Sequence, residues 1–212
     1  MRAATLSLLV LLVTGCAEVR QPPPPPPPVA LAGGAADPIR ASIDAIAPAF
    51  ADQARGLARR PAEAAQAAAQ LEYVTAAIPR VRTYAAFSEQ TWRELVLARQ
   101  ELRDALGVAD DAPGERVATA LLAAATALRA GDAARAAAAL PAPMFRPGGA
   151  RSVARLGELG PLPQGAIATA LARQELARLD ATGGWPGGQP GERTNWGAGG
   201  GFGLSADTTI GY

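Results

Sequence analysis

Apolar residues between positions 37 and 182 recur at intervals of three and four, the period of a helix with one buried face. Asp37-Pro38 reads as an N-cap followed by proline in the first turn, and the helix it opens is expected to run to Arg60 with a break or kink at Pro48. Pro61 opens a second helix through Leu71, Val74 and Ile78, closed by Pro79. Val81, Tyr84, Phe87, Thr91, Leu95, Ala98, Leu102 and Leu106 then form one stripe, predicting a single helix of about 25 residues that ends at Gly107. Val117, Leu121, Ala125 and Leu128 mark a fourth helix after Pro113-Gly114. Gly131-Asp132 precedes a short Ala-rich helix over 133–140, and residues 141–149 read as a loop. Two more short helices are expected near 150–158 and 165–181, divided by Gly160-Pro-Leu-Pro.

No alternating strand pattern interrupts this series. The fold class is therefore all-α, an irregular bundle of about five to seven helices. Large side chains concentrate between Leu71 and Leu128, which places the expected centre of the core there. The Trp, Gly, Tyr and Pro signature of tetratricopeptide repeats does not recur at 34 residues.

The flanks have different patterns. Residues 21–28 are Gln followed by seven prolines, a polyproline II segment roughly 20 Å long at about 3.1 Å per residue, suited to a stiff spacer or to a proline-binding groove. Residues 183–212 carry eleven glycines and two prolines in 30 positions, which cannot sustain a helix, so this tail is expected to be disordered. Four of the chain's ten aromatic residues nevertheless lie there: Trp185, Trp196, Phe202 and Tyr212. They could anchor a protein partner or lie back on the parent helices.

At the amino end, Met1-Arg2 precedes the apolar run Leu6–Val13, which is the charged start and apolar centre of a secretory signal peptide and is too short for a permanent membrane span. The run closes on Val13-Thr14-Gly15 before Cys16. This arrangement resembles the lipobox of bacterial lipoproteins. The resemblance implies cleavage before Cys16, diacylglycerol attached to its thiol, and further acylation of the new N-terminus, with acyl chains such as palmitate holding the protein stably to the membrane. With Ala17 next, and no Asp there, it also implies the outer membrane, facing the periplasm. Cys16 is the only cysteine, so no internal disulfide can form. The expected organisation is a signal peptide over 1–15, a lipid-anchored tether over 16–36, a helical domain over 37–182 and a tail over 183–212.

All 20 basic residues are Arg, and about a quarter of the chain is Ala. Removing Arg2 with the leader leaves 19 Arg against 19 acids, a balance that gives no broad field for nucleic acid. The chain has no His and no Lys. The usual zinc sites, Ser-His-Asp and Cys-His systems and Schiff-base lysines are thereby excluded, and no cofactor or metal is expected.

Carboxylate chemistry survives. Glu94 and Glu101 share one helical face with Cα atoms roughly 10.5 Å apart by helical rise, a candidate acid pair for an envelope glycan hydrolase, although solvated surface charges are the commoner outcome. Glu89 and Arg93 form an i,i+4 pair. Asp110-Asp111 are expected to cap the helix that follows, and Arg59-Arg60 and Arg80/Arg82 to sit at helix ends. Trp92 belongs at the edge of the core, or with Val96 and Leu122 around a small apolar ligand. The leading expectation is a lipid-anchored, non-enzymatic interaction or structural module of the cell envelope. A glycan hydrolase and a ligand carrier are the alternatives.

Overall fold

A computed structural model describes residue 31 and residues 33–187, and among these the chain is all-α. Seven α-helices follow one another: α1 (Pro38–Phe50), α2 (Pro61–Ala77), α3 (Glu89–Leu106), α4 (Gly114–Arg129), α5 (Ala133–Ala139), α6 (Gly149–Gly157) and α7 (Pro163–Thr182). Helix α2 lies at the centre, against α1, α3, α4 and α6. Its sequence explains this position. Ala64, Ala65, Ala67, Ala68 and Ala69 are all buried, and such small side chains let neighbouring backbones approach from several sides. No apolar stripe is needed on a helix covered all round.

The core is wider than the 71–128 stretch that the large residues suggested. Ile43, Ile46 and Phe50 of α1 are fully buried, as are Phe145 and Leu156 near α6, and Leu176 and Leu179 of α7 are almost so. Each apolar side chain of this kind contributes about 1.5–3 kcal/mol on burial. Burial also extends in front of the expected domain start at 37: Leu31 is buried in the core, and its carbonyl accepts a hydrogen bond from Gln70 Nε2 (3.0 Å).

Two helix boundaries differ from the sequence pattern. Helix α1 ends at Phe50 with Pro48 in its last turn, and a 3₁₀ segment over Ala51–Leu57 follows. Within it Asp52, Gln53 and Ala54 have φ of 50, 56 and 64°, a left-handed turn that costs non-glycine residues roughly 1–2 kcal/mol each. Tertiary contacts offset the strain. Ala54 and Leu57 are buried, and the Gln53 carbonyl accepts from Leu162 N–H (3.0 Å).

Helix α3 starts at Glu89, not near Val81, so the expected 25-residue helix is 18 residues long. Ser88 caps it, its hydroxyl accepting from Thr91 N–H (3.2 Å). Tyr84, in a preceding 3₁₀ turn (Arg82–Ala86), and Phe87, just after it, still face inward, whereas Val81 is exposed. A 3₁₀ turn presents residues three apart on one side, which is why it continues the helical stripe. At the other end Gly107 adopts φ 70°, the left-handed conformation that closes many helices.

Candidate functional site

Three polar constellations stand out, and each joins elements far apart in sequence. The first is a clasp where the chain enters α1 and leaves α7. Asp37 caps α1, with Oδ1 accepting from the N–H groups of Ile39 and Arg40 (3.1 and 3.0 Å), while its Oδ2 accepts from the Tyr84 hydroxyl (2.7 Å). One turn into α1, Arg40 makes a bidentate pair with Asp180 of α7 (2.8 and 2.7 Å). Trp185 Nε1 donates to the same carboxylate (2.9 Å), and the Arg40 guanidinium lies 5.4 Å from the centre of the Trp185 ring. Tyr84 meets Trp185 edge to face at 5.4 Å, and Phe87 completes the aromatic trio.

Trp185 thus belongs to the body, at 5% exposure, instead of standing free in a tail that begins at 183. Gly183 makes this possible: at φ 62° it reverses the chain beyond α7, and Gly184 N–H bonds back to the Leu179 carbonyl (3.1 Å). Of the other aromatic residues expected to meet a partner, Trp196, Phe202 and Tyr212 lie outside the described residues. So do Val13, Thr14, Gly15 and Cys16.

The clasp perturbs its own titrating groups. Burial, reinforced by the Asp37 carboxylate, holds the Tyr84 hydroxyl far above the usual phenol range. Hydrogen bonding from Arg40 holds Asp180 below the usual carboxylate range, with burial opposing and the Trp185 N–H assisting. A phenol kept neutral and an acid kept charged, each spent on an internal partner, form a mechanical joint.

The second constellation settles the place of Glu94 and Glu101. Helices α3 and α7 run antiparallel, and each supplies a carboxylate to the other's N-terminus. Glu101 accepts from the N–H groups of Gln164 and Gly165 (3.2 and 2.8 Å), in the first turn of α7, where Leu162 offers no side-chain cap. Glu175 accepts from Ser88 N–H (2.9 Å) at the start of α3 and also holds Arg178 (2.9 Å to each carboxylate oxygen). These contacts, Arg178 foremost, keep Glu175 below the usual carboxylate range. Glu94 accepts from Gln164 Nε2 (2.5 Å). The candidate acid pair is therefore not a plain solvated face. It ties α7 to α3.

The third is a buried ion pair between α2 and α3. Arg103 donates Nε and Nη2 to the two Glu72 oxygens (2.5 and 2.8 Å), with 6% and 1% of the respective side chains exposed. Burial pushes the Glu72 carboxyl up, and Arg103 opposes it. Helix α4 begins on Gly114 at this point, and any Cβ there would stand 3.2 Å from Glu72 Oε2.

The remaining sequence candidates are dispersed. Asp110 does not cap α4: it pairs with Arg146 (3.1 Å), and α4 starts behind Pro113 with Glu115 in its first turn. Arg60 pairs with Glu63, Arg80 with Glu115, and Arg93 with Glu89, all exposed. Trp92 packs on the rim of the core, its indole Nε1 buried without a partner among the described residues. Leu122 lines a mostly apolar groove of about 570 Å³ between α4 and α5, to which Trp92 and Val96 of α3 do not contribute. Among the described residues no group of three or more metal-ligating side chains converges, and no helix is long and apolar enough to cross a membrane.

Comparisons of the chain with protein-family models, with curated proteins and with solved structures find no match.

Proposed function

We propose that the protein is a lipid-anchored envelope lipoprotein, held at the outer membrane facing the periplasm, whose helical body is a non-enzymatic interaction or structural module. One observation carries this reading: the lone cysteine stands directly after an apolar run and Val13-Thr14-Gly15, where lipobox chemistry would acylate it. Two features of the body support it. The acids best spaced for hydrolysis, Glu94 and Glu101, are engaged in fastening α7. The clasp fastens the start of α1 to the segment beyond α7, as a body connected at both ends requires. The partner is another envelope protein, met through the aromatic residues beyond Gly187.

The test uses the full chain and Cys16→Ala expressed in a two-membrane bacterium, with an alkyne analogue of palmitate in the medium. The expected result is a labelled full chain in the outer-membrane fraction and an unlabelled variant outside it. Equal fractionation of both without label would overturn the anchor. Crosslinking in intact envelopes then compares the full chain with one ending at Gly187, which keeps Trp185 in its clasp. A stoichiometric crosslink lost on truncation supports the tail as the docking segment, and an unchanged crosslink removes that role.

A further inference from the structure

We infer that the cleft between the end of α3 and the start of α6 is a binding site for a phosphate group. The cleft, of about 410 Å³, is lined by Arg146, Arg151 and Arg155, with Asp104, Gly107 and Pro147. Three arginines and one acid line it, in a chain whose formal net charge is only +1. Asp104 is partly engaged, accepting from Gln100 Nε2 (2.9 Å). Arg146 reaches only the exposed Asp110.

Arg151 and Arg155 stand one turn apart on α6, a like-charge i,i+4 arrangement that weakens a helix. Among the described residues neither meets a carboxylate within 4.0 Å, although seven ion pairs form away from the cleft. The backbone makes the cleft. Gly107 forms its floor, and a Cβ there would stand 2.7 Å from Arg155 Nη1 and 3.0 Å from Pro147 Cδ. Arg146 is held at the rim because its N–H bonds the Gly107 carbonyl (2.7 Å).

Guanidinium groups bind phosphate oxygens by paired, charge-assisted hydrogen bonds, and arginines lining one cleft offer several such donors to a single phosphate group. A volume of this size is in the range of small-molecule sites and admits a phosphate with a small organic substituent. The same chemistry is offered by a soluble phosphate compound and by a phospholipid headgroup. The site does not depend on the proposed anchor.

Isothermal titration of the full chain tests it, with inorganic phosphate in one arm and monomeric dihexanoylphosphatidylglycerol in the other. The variants are Arg151→Gln/Arg155→Gln, in the cleft, and Arg116→Gln/Arg173→Gln, exposed arginines outside it. The expected result is saturable binding in at least one arm, weakened about tenfold or more by the cleft variant and unchanged by the control. Binding of phosphate alone identifies a soluble compound as the source, and binding of the lipid identifies a headgroup. Absence of saturable binding in both arms, or an equal loss in the two variants, overturns the site.

Discussion

Removing the Glu101 carboxylate should loosen α7 from its first turn. In Glu101→Ala the N–H groups of Gln164 and Gly165 lose their acceptor, and Leu162 provides no substitute. Loss of an N-terminal cap costs about 1 kcal/mol, and the charge lost from the positive end of the helix adds roughly 0.3–1 kcal/mol. The expected destabilisation is therefore about 1.3–2 kcal/mol. Glu101→Gln keeps one acceptor oxygen and loses the charge, so about half of that is expected.

Glu89→Ala is the control: Glu89 also stands in a first turn, that of α3, but makes only an exposed i,i+4 pair with Arg93 and no inter-helix hydrogen bond, so its loss costs about 0.3–0.5 kcal/mol at this exposed site. Equilibrium urea unfolding followed by far-ultraviolet circular dichroism measures all three, with hydrogen exchange at Gln164 and Gly165 reporting the local opening. The order Ala, Gln, control is the prediction. If Glu101→Ala lies within about 0.5 kcal/mol of Glu89→Ala, the usual scatter of surface substitutions, the inter-helix cap contributes nothing and the reasoning fails.

Three further outcomes follow from the same geometry. Glu72→Leu or Arg103→Leu alone should cost about 3–5 kcal/mol by leaving one buried charge unpaired, whereas the double variant should cost clearly less than the sum in a denaturant cycle. A chain ending at Thr182 removes the Trp185 ring from the clasp and should lose about 3 kcal/mol against one ending at Gly187, read as the difference in unfolding free energy. Asp180 and Glu175 have depressed folded-state values, so their stabilisation is present above the unfolded values near about 3.9 and 4.3 and is lost as pH falls through the folded ones. Acid unfolding of Asp180→Asn should accordingly be less steep below about pH 4, and an unchanged slope would show that Arg40 does not hold that charge.

Most helices were legible in the sequence because their signals are local. Asp37-Pro38, Pro61, Gly107, Pro113-Gly114 and Gly131-Asp132 mark helix ends through φ restriction, capping and the left-handed cap, all decided within a few residues. Where two local signals competed, the stripe misled. Tyr84 and Phe87 keep helical spacing, yet Ser88 starts the helix one residue later, and its cap was the signal that could have placed the boundary. Similarly, Gly183 beyond α7 signalled a reversal that would bring Trp185 back onto the parent helices, one of the two readings open for the tail aromatics.

Glu101 had no such signal: its role needs the start of α7, 63 residues away, to lie antiparallel to α3. The same holds for Arg40 with Asp180, 140 residues apart, and for Glu72 with Arg103. By itself the sequence determined the helical class, most helix ends, the excluded chemistries and the resemblance of its first residues to a lipoprotein leader. Which charges became caps, which became a buried pair and which arginines were left facing an open cleft was decided only by tertiary packing. Helical periodicity records which face of a helix avoids water, whereas a carboxylate or guanidinium looks the same in sequence whether it meets solvent, a helix end or its opposite charge.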